Sequence, residues 1–142
     1  MYELSKTFRF EAAHRLAKGF TGKCANIHGH SWNGKLTVET SSLDEFDFGV
    51  DYSILGKFTK EIEGLLDHQI LLYADDGEVV DFVVRSRFNH VLFEHNPTCE
   101  TIARWIWQRA MKYFQDMPDV RVRYVEVSET CTTGCRYSEK VQ

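Results

Sequence analysis

Residues 2–13 and 33–40 alternate, imperfectly, between apolar and polar positions and are rich in Phe, Tyr, Leu, Val and Thr, the pattern of two strands with one buried face. A histidine-bearing loop joins them. Over residues 52–66, Ile54, Leu55, Phe58, Ile62, Leu65 and Leu66 recur at helical spacing as one stripe, with Asp51 or Ser53 placed as the N-cap. Gly56 and Gly64 weaken this helix without abolishing it. A second helix is expected to start near Asn96-Pro97-Thr98, where Asn96 can cap and Pro97 fits the first turn, and to reach Phe114, ahead of Pro118. Residues 120–127, VRVRYVEV, alternate strongly enough for a third strand, and residues 135–139 supply a fourth. Residues 74–95 interrupt this order with an acidic turn, YADDGE, and the runs VVDFVV and HVLFEH, which read as an extra hairpin. The pattern predicts an α+β fold, a four-stranded sheet with both helices on one face. Something must cover the other face, and partner subunits are the candidate.

At 142 residues the chain is long enough for one ordinary core and too short for two, so residues 1–142 are expected to form a single domain. Apolar residues make up 43% and charged residues 27%, close to the average for folded globular proteins, which argues against disorder. The longest apolar runs fall far short of the ~20 residues needed to cross a bilayer. MYELSKTFRF lacks the charged start, apolar stretch and cleavage site of a secretion signal, so the expectation is a cytoplasmic protein whose four cysteines are thiols. A net charge of -4 with no basic run argues against nucleic acid and for a small-molecule partner.

The chemistry is concentrated in FEAAHRL at 10–16 and CANIHGH at 24–30. On an extended segment His28 and His30 point the same way, and Gly29 lets the backbone pass close to a bound ion. His14, at the end of the neighbouring strand, completes a three-imidazole set that leaves zinc one open position. Three neutral ligands leave the ion's charge almost unquenched, so a coordinated hydroxyl is strongly acidified. Cys24 has two readings, a fourth ligand that closes a structural site, or a thiolate base off the metal, and spacing alone does not choose between them. Cys131 and Cys135 have the spacing of a metal pair but no further spaced ligands, and Cys99 reads as helix packing. Asp67 and His68 directly follow the first helix, where a carboxylate can orient an imidazole, although adjacent side chains often diverge. Glu129, just after the third strand, offers two parallel acceptor oxygens to a ligand.

Taken in order, FEAAHRL, CANIHGHS, LDHQ, NPTCE and SETCTTGC resemble the 6-pyruvoyl-tetrahydropterin synthase family over nearly the whole chain. The short gap between Cys24 and His28 and the ending ETCTTGCRY most resemble its bacterial branch, the 6-carboxy-5,6,7,8-tetrahydropterin synthases of the queuosine pathway. The resemblance implies the tunnelling fold, a ββααββ subunit with an antiparallel four-stranded sheet that joins others into a barrel. It implies zinc on His14, His28 and His30, a catalytic Cys24, and Asp67 and His68 as acid/base partners supplied across a subunit boundary. Glu129 is implied as the pterin anchor, and Thr98 and Glu100 as pocket residues, helix capping being the alternative for both. The implied reaction is a lyase step turning 7,8-dihydroneopterin triphosphate into 6-carboxytetrahydropterin, acetaldehyde and triphosphate. Arg15, Lys18 and Lys23 are near enough in sequence to meet the triphosphate, and a solvated loop explains them equally well.

Two departures stand out. The family pattern DHxxLN has Leu72 in place of its Asn, which implies a lost turn contact, and residues 74–95 are longer than expected, with His90 and His95 read as surface or packing residues. Two other functions remain open. One is a pyruvoyl-pterin synthase or side-chain lyase of the same fold, told apart by its products. The other is a zinc-stabilised module without turnover, against which Cys24, Asp67, His68 and Glu129 together argue.

Overall fold

The computed structural model describes residues 1–139. Its strands are β1 (Tyr2–His14), β2 (His28–Thr40), β3 (Gln69–Tyr73), β4 (His90–Phe93), β5 (Arg121–Ser128) and β6 (Gly134–Tyr137). The helices are α1 (Tyr52–Leu66), α2 (Gly77–Arg85) and α3 (Cys99–Tyr113), with a single 3-10 turn at Lys23–Ala25. One six-stranded sheet runs in the order β4-β3-β1-β2-β5-β6. The α+β class and the two helices on one face are as expected, but the sheet has two more strands and is not purely antiparallel. β3 runs parallel to both β1 and β4.

That difference comes from residues 74–95, which form α2 and β4 instead of a hairpin. VVDFVV lies within α2, because a short apolar run rich in valine fits helix and strand alike. Topology decides the matter, since parallel β3 and β4 need a crossover and a hairpin can join only antiparallel strands. Leu72 finds its explanation here too. Where the family pattern has an Asn, the chain continues as a central strand, and Leu72 is fully buried within it.

α1 and α3 form as their sequences dictate. Asp51 caps α1 by accepting from the Ser53 N–H at 2.7 Å, and Leu55, Phe58, Thr59, Ile62 and Leu66 form its buried stripe. α3 buries Cys99, Ile102, Ala103, Ile106, Trp107 and Ala110 at helical spacing. Its N-cap is Thr98, one of the residues of the expected start, while Asn96 makes a different contact altogether. Beneath the helices lie Phe8, Phe10, Trp32, Leu36, Val125 and Val127. Full burial of each large apolar side chain contributes about 1.5–3 kcal/mol. A Cβ on Gly34 would overlap the Phe8 ring packed across it, so glycine is required at this point of β2.

The other sheet face is polar. Lys35 pairs with Glu126 at 3.3 Å, Arg136 with the same carboxylate at 2.9 Å, and Arg123 with Glu39 at 3.1 Å. Such a face is stable in water, so partner subunits are not required to cover it.

Candidate metal centre and active site

The β1–β2 register builds the histidine cluster. His14 lies directly opposite His28, and Ala12 opposite His30, so all three imidazoles share the face that carries Phe10 and Trp32. His28 and His30 therefore belong to β2 itself, where the sequence had suggested a loop. Trp32 is fully buried, donates its indole N–H to the Ala12 carbonyl at 3.1 Å, and sets its ring edge-on to His14 and His30. It is the floor of the cluster, and nothing in the spacing of the histidines announces it.

The ring nitrogens identify what this cluster suits. His14 Nδ1 donates to the Pro97 carbonyl and His28 Nδ1 to the Asn26 carbonyl, each at 2.7 Å. A carbonyl only accepts, so each Nδ1 carries a proton and each Nε2 of a neutral ring presents a lone pair. These two Nε2 atoms face one another at 3.1 Å. Two lone pairs so close repel unless an electrophile lies between them, and the separation is near the ~3.3 Å edge of a tetrahedron with Zn–N bonds of about 2.05 Å. His30 Nε2 is buried with no hydrogen-bond partner. One nitrogen from each of the three lies within 4.8 Å of the others. Burial holds the His14 pKa below that of a free imidazole, which keeps the ring neutral and able to ligate. The set fits a metal ion.

Cys24 is exposed and does not join this cluster among the described residues. It sits in the 3-10 turn, its carbonyl accepting from Leu16 N–H at 2.7 Å. Asp67 and His68 do not diverge. His68 Nδ1 donates to Asp67 Oδ2 at 2.7 Å, Asp67 Oδ1 accepts from Glu11 N–H at 2.7 Å, and Glu11 returns its carbonyl to His68 N–H. The two bonds to Glu11 extend the β3 edge beyond its first residue. The Asp67 pKa is lowered, most by the Glu11 amide donating to its carboxylate and next by the His68 ring. His68 has a left-handed backbone, φ 57°, that a side chain other than glycine adopts at a cost, and such strain tends to persist where function demands a fixed side chain. Its ring is 78% exposed, leaving Nε2 open to a substrate.

His68 lines a hollow of about 460 Å³ with Glu11, Ala13, Gly29, Ser31 and His30. Glu11 and Ser31 lie on the polar face, bonded to each other at 2.7 Å. His68 thus opens beside the polar face, whereas the histidine rings lean toward the core. Glu129, half-buried past the end of β5, is close enough for its charge to favour the protonated form of His14, and its backbone N–H points at the Cys99 sulfur. Burial and then the Glu129 charge push the Cys99 thiol up to about 12, so Cys99 is the packing residue expected. Cys131 and Cys135 belong to no metal-ligating group among the described residues. Thr98 spends its hydroxyl on a capping box with Thr101, and Glu100 is exposed in the first turn of α3. Arg15 pairs with Asp76 and Lys18 lies over the Tyr73 ring, so neither is a free loop cation.

A family model described as 6-pyruvoyl tetrahydropterin synthase matches residues 3–140. The chain belongs to this family. It is 32% identical to the 6-carboxy-5,6,7,8-tetrahydropterin synthase of Haemophilus influenzae, over 98% of this chain and all of the relative. It is 31% identical to that of Bacillus subtilis, over 98% and 86%, and 29% identical to that of Aquifex aeolicus, over 98% and 99%. Among solved structures, an uncharacterized protein from Wolinella succinogenes superposes with a TM-score of 0.86 at 20% identity, over 98% of each chain. The 6-pyruvoyl tetrahydropterin synthase of Plasmodium falciparum superposes with a TM-score of 0.72 at 19% identity, over 99% of this chain and 98% of that one.

Proposed function

We propose that the protein is a zinc-dependent 6-carboxy-5,6,7,8-tetrahydropterin synthase. It converts 7,8-dihydroneopterin triphosphate to 6-carboxytetrahydropterin, acetaldehyde and triphosphate, in queuosine biosynthesis in the cytoplasm. The observation that carries this reading is the convergence of three imidazole nitrogens with no fourth protein ligand among the described residues. A closed structural site would be complete without a substrate, whereas this one leaves a position for it. His14, His28 and His30 hold the metal, which supplies Lewis acidity toward the hydroxyls of the pterin side chain.

The remaining roles fall to the chain's own groups. Cys24 removes a proton from the side chain. His68, held by Asp67 as the tautomer with a bare Nε2, handles the proton on the other side. Glu129 accepts from the N3–H and 2-amino groups of the pterin as a bidentate pair. Thr98 and Glu100 border the pterin, Thr98 while capping α3. Active sites lie at the interfaces of a homo-oligomer whose sheets join edge to edge as a barrel, with the polar face lining its interior.

Incubating purified protein with 7,8-dihydroneopterin triphosphate and identifying the products by mass tests the reading. Acetaldehyde with the carboxypterin supports it. A pyruvoyl pterin, or a pterin with its side chain removed, would assign another activity of the same fold, and no turnover with zinc bound would leave a binding module. Glu129→Gln is expected to raise the Kd for a pterin roughly 10- to 100-fold, the loss of one charge-assisted hydrogen bond, with zinc content unchanged. Calorimetric titration with a dihydropterin measures it, and wild-type affinity would remove Glu129 from the site.

A further inference from the structure

Several contacts that the proposed chemistry does not use converge on residues 15–27, the loop that follows His14 and carries Cys24. Asn96 holds the backbone of Ala17 at both polar atoms, its Oδ1 accepting from the Ala17 N–H at 2.8 Å and its Nδ2 donating to the Ala17 carbonyl at 3.4 Å. The polarity of the peptide fixes the orientation of the amide, because an N–H needs the oxygen and a carbonyl needs the NH2 group. A side chain thus takes the place of a neighbouring strand. The next residue, Pro97, supplies the carbonyl that orients His14. From the segment between β3 and α2, Asp76 faces Arg15 Nε at 3.3 Å, with these side chains 13% and 24% exposed, and Tyr73 at the end of β3 lies under the Lys18 ammonium, 4.4 Å from the ring centre. Within the loop, Leu16 N–H closes on the Cys24 carbonyl.

We propose that the β3-α2-β4 excursion and the turn after it brace the Cys24 loop, with Asn96 and Asp76 as positioning residues that set where the thiol stands relative to the three histidines. The contacts form a continuous path, from Asp76, Tyr73 and Asn96 to residues 15, 18 and 17, and through Leu16 to the Cys24 backbone. The inference rests on Cys24 being the base. A base displaced by about an ångström loses much of its rate without weakening substrate binding, because geometry at the reacting atom is what suffers.

Asn96→Ala removes both bonds to Ala17. Asn96→Asp keeps the acceptor but turns a carboxylate oxygen toward the Ala17 carbonyl. Asp76→Asn keeps the shape and removes the charge beside Arg15, and serves as the independent variant should Asn96 prove necessary for folding. In each, kcat is expected to fall about tenfold with KM within about twofold and zinc retained, while the Leu16 and Ala17 amides exchange hydrogen at least about tenfold faster and those of the β1–β2 ladder keep their protection. Wild-type kcat in all three would overturn the brace. So would a fall in kcat that only tracks lost zinc, or exchange accelerated equally throughout the sheet, either of which marks a merely structural role. Should Cys24→Ala keep its turnover, the reading of Cys24 fails by itself, and unchanged exchange at Leu16 and Ala17 in the Asn96 variants would still overturn the brace separately.

Discussion

Replacing Cys24 by alanine is expected to cut turnover by about 10²- to 10⁴-fold, the usual worth of a positioned general base, while about one zinc per chain stays bound. The two readings of this cysteine differ in where its sulfur must be. A fourth ligand has to approach the same point as the three imidazole nitrogens, and Cys24 stands outside their cluster with an exposed side chain. The variant should also keep its loop in place. What ties Cys24 to Leu16 is its backbone carbonyl, which alanine retains, and the contacts of Ala17, Arg15 and Lys18 do not involve the thiol. Steady-state rates and metal analysis on the same preparation separate the cases. Zinc lost together with activity would make Cys24 a ligand, since removing one ligand of a closed site costs both metal and fold. Full activity would remove it from the chemistry.

Much of this site was legible in the sequence because it depends on local order. The HGH spacing puts two imidazoles on one side of any extended segment, and β2 keeps that geometry. The Asp51 cap and the apolar stripe of α1 were legible for the same reason, as was the alternation of β5. The parts that stayed hidden rest on non-local pairing. His14 was expected beside His28 and His30 from its place at a strand end, but the register that sets it directly opposite His28, in which Tyr2 pairs with Thr40, is encoded by no spacing in the chain. The helix at Gly77–Arg85 was hidden because its valines suit a strand, and only the parallel pairing of β3 with β4 demands a crossover. Asn96 looked like a cap because it precedes a proline at a helix start. The cap passed to Thr98, whose side chain and Thr101 satisfy each other's backbone, which freed Asn96 to reach Ala17. The strained backbone of His68 likewise has no signature in a DH dipeptide.

The position of His68 leads to the second large effect, in mixed oligomers. Extending the β1–β3 register by one residue puts His68 beside Glu11, and it lines its hollow with Glu11 and Ser31 of the polar face and with His30 of the same chain. The metal-binding nitrogens gather instead over Trp32, where Pro97 orients His14 from the helix side. If active sites lie between subunits as proposed, a pterin held by Glu129 and reaching the histidine cluster of one chain meets the His68 of a neighbour. Cys24→Ala and His68→Ala chains should each be inactive alone, yet unfolded together and refolded as mixed oligomers they should recover activity. If each site takes Cys24 from one chain and His68 from the next, random mixing leaves about one site in four intact, so activity should return to roughly a quarter of wild type. Mass analysis of the intact assembly verifies that mixing occurred. Should verified mixed oligomers stay inactive, both groups belong to the same chain's site. The left-handed backbone of His68 would then have to be explained by its hydrogen bonds to Glu11 and Asp67 alone.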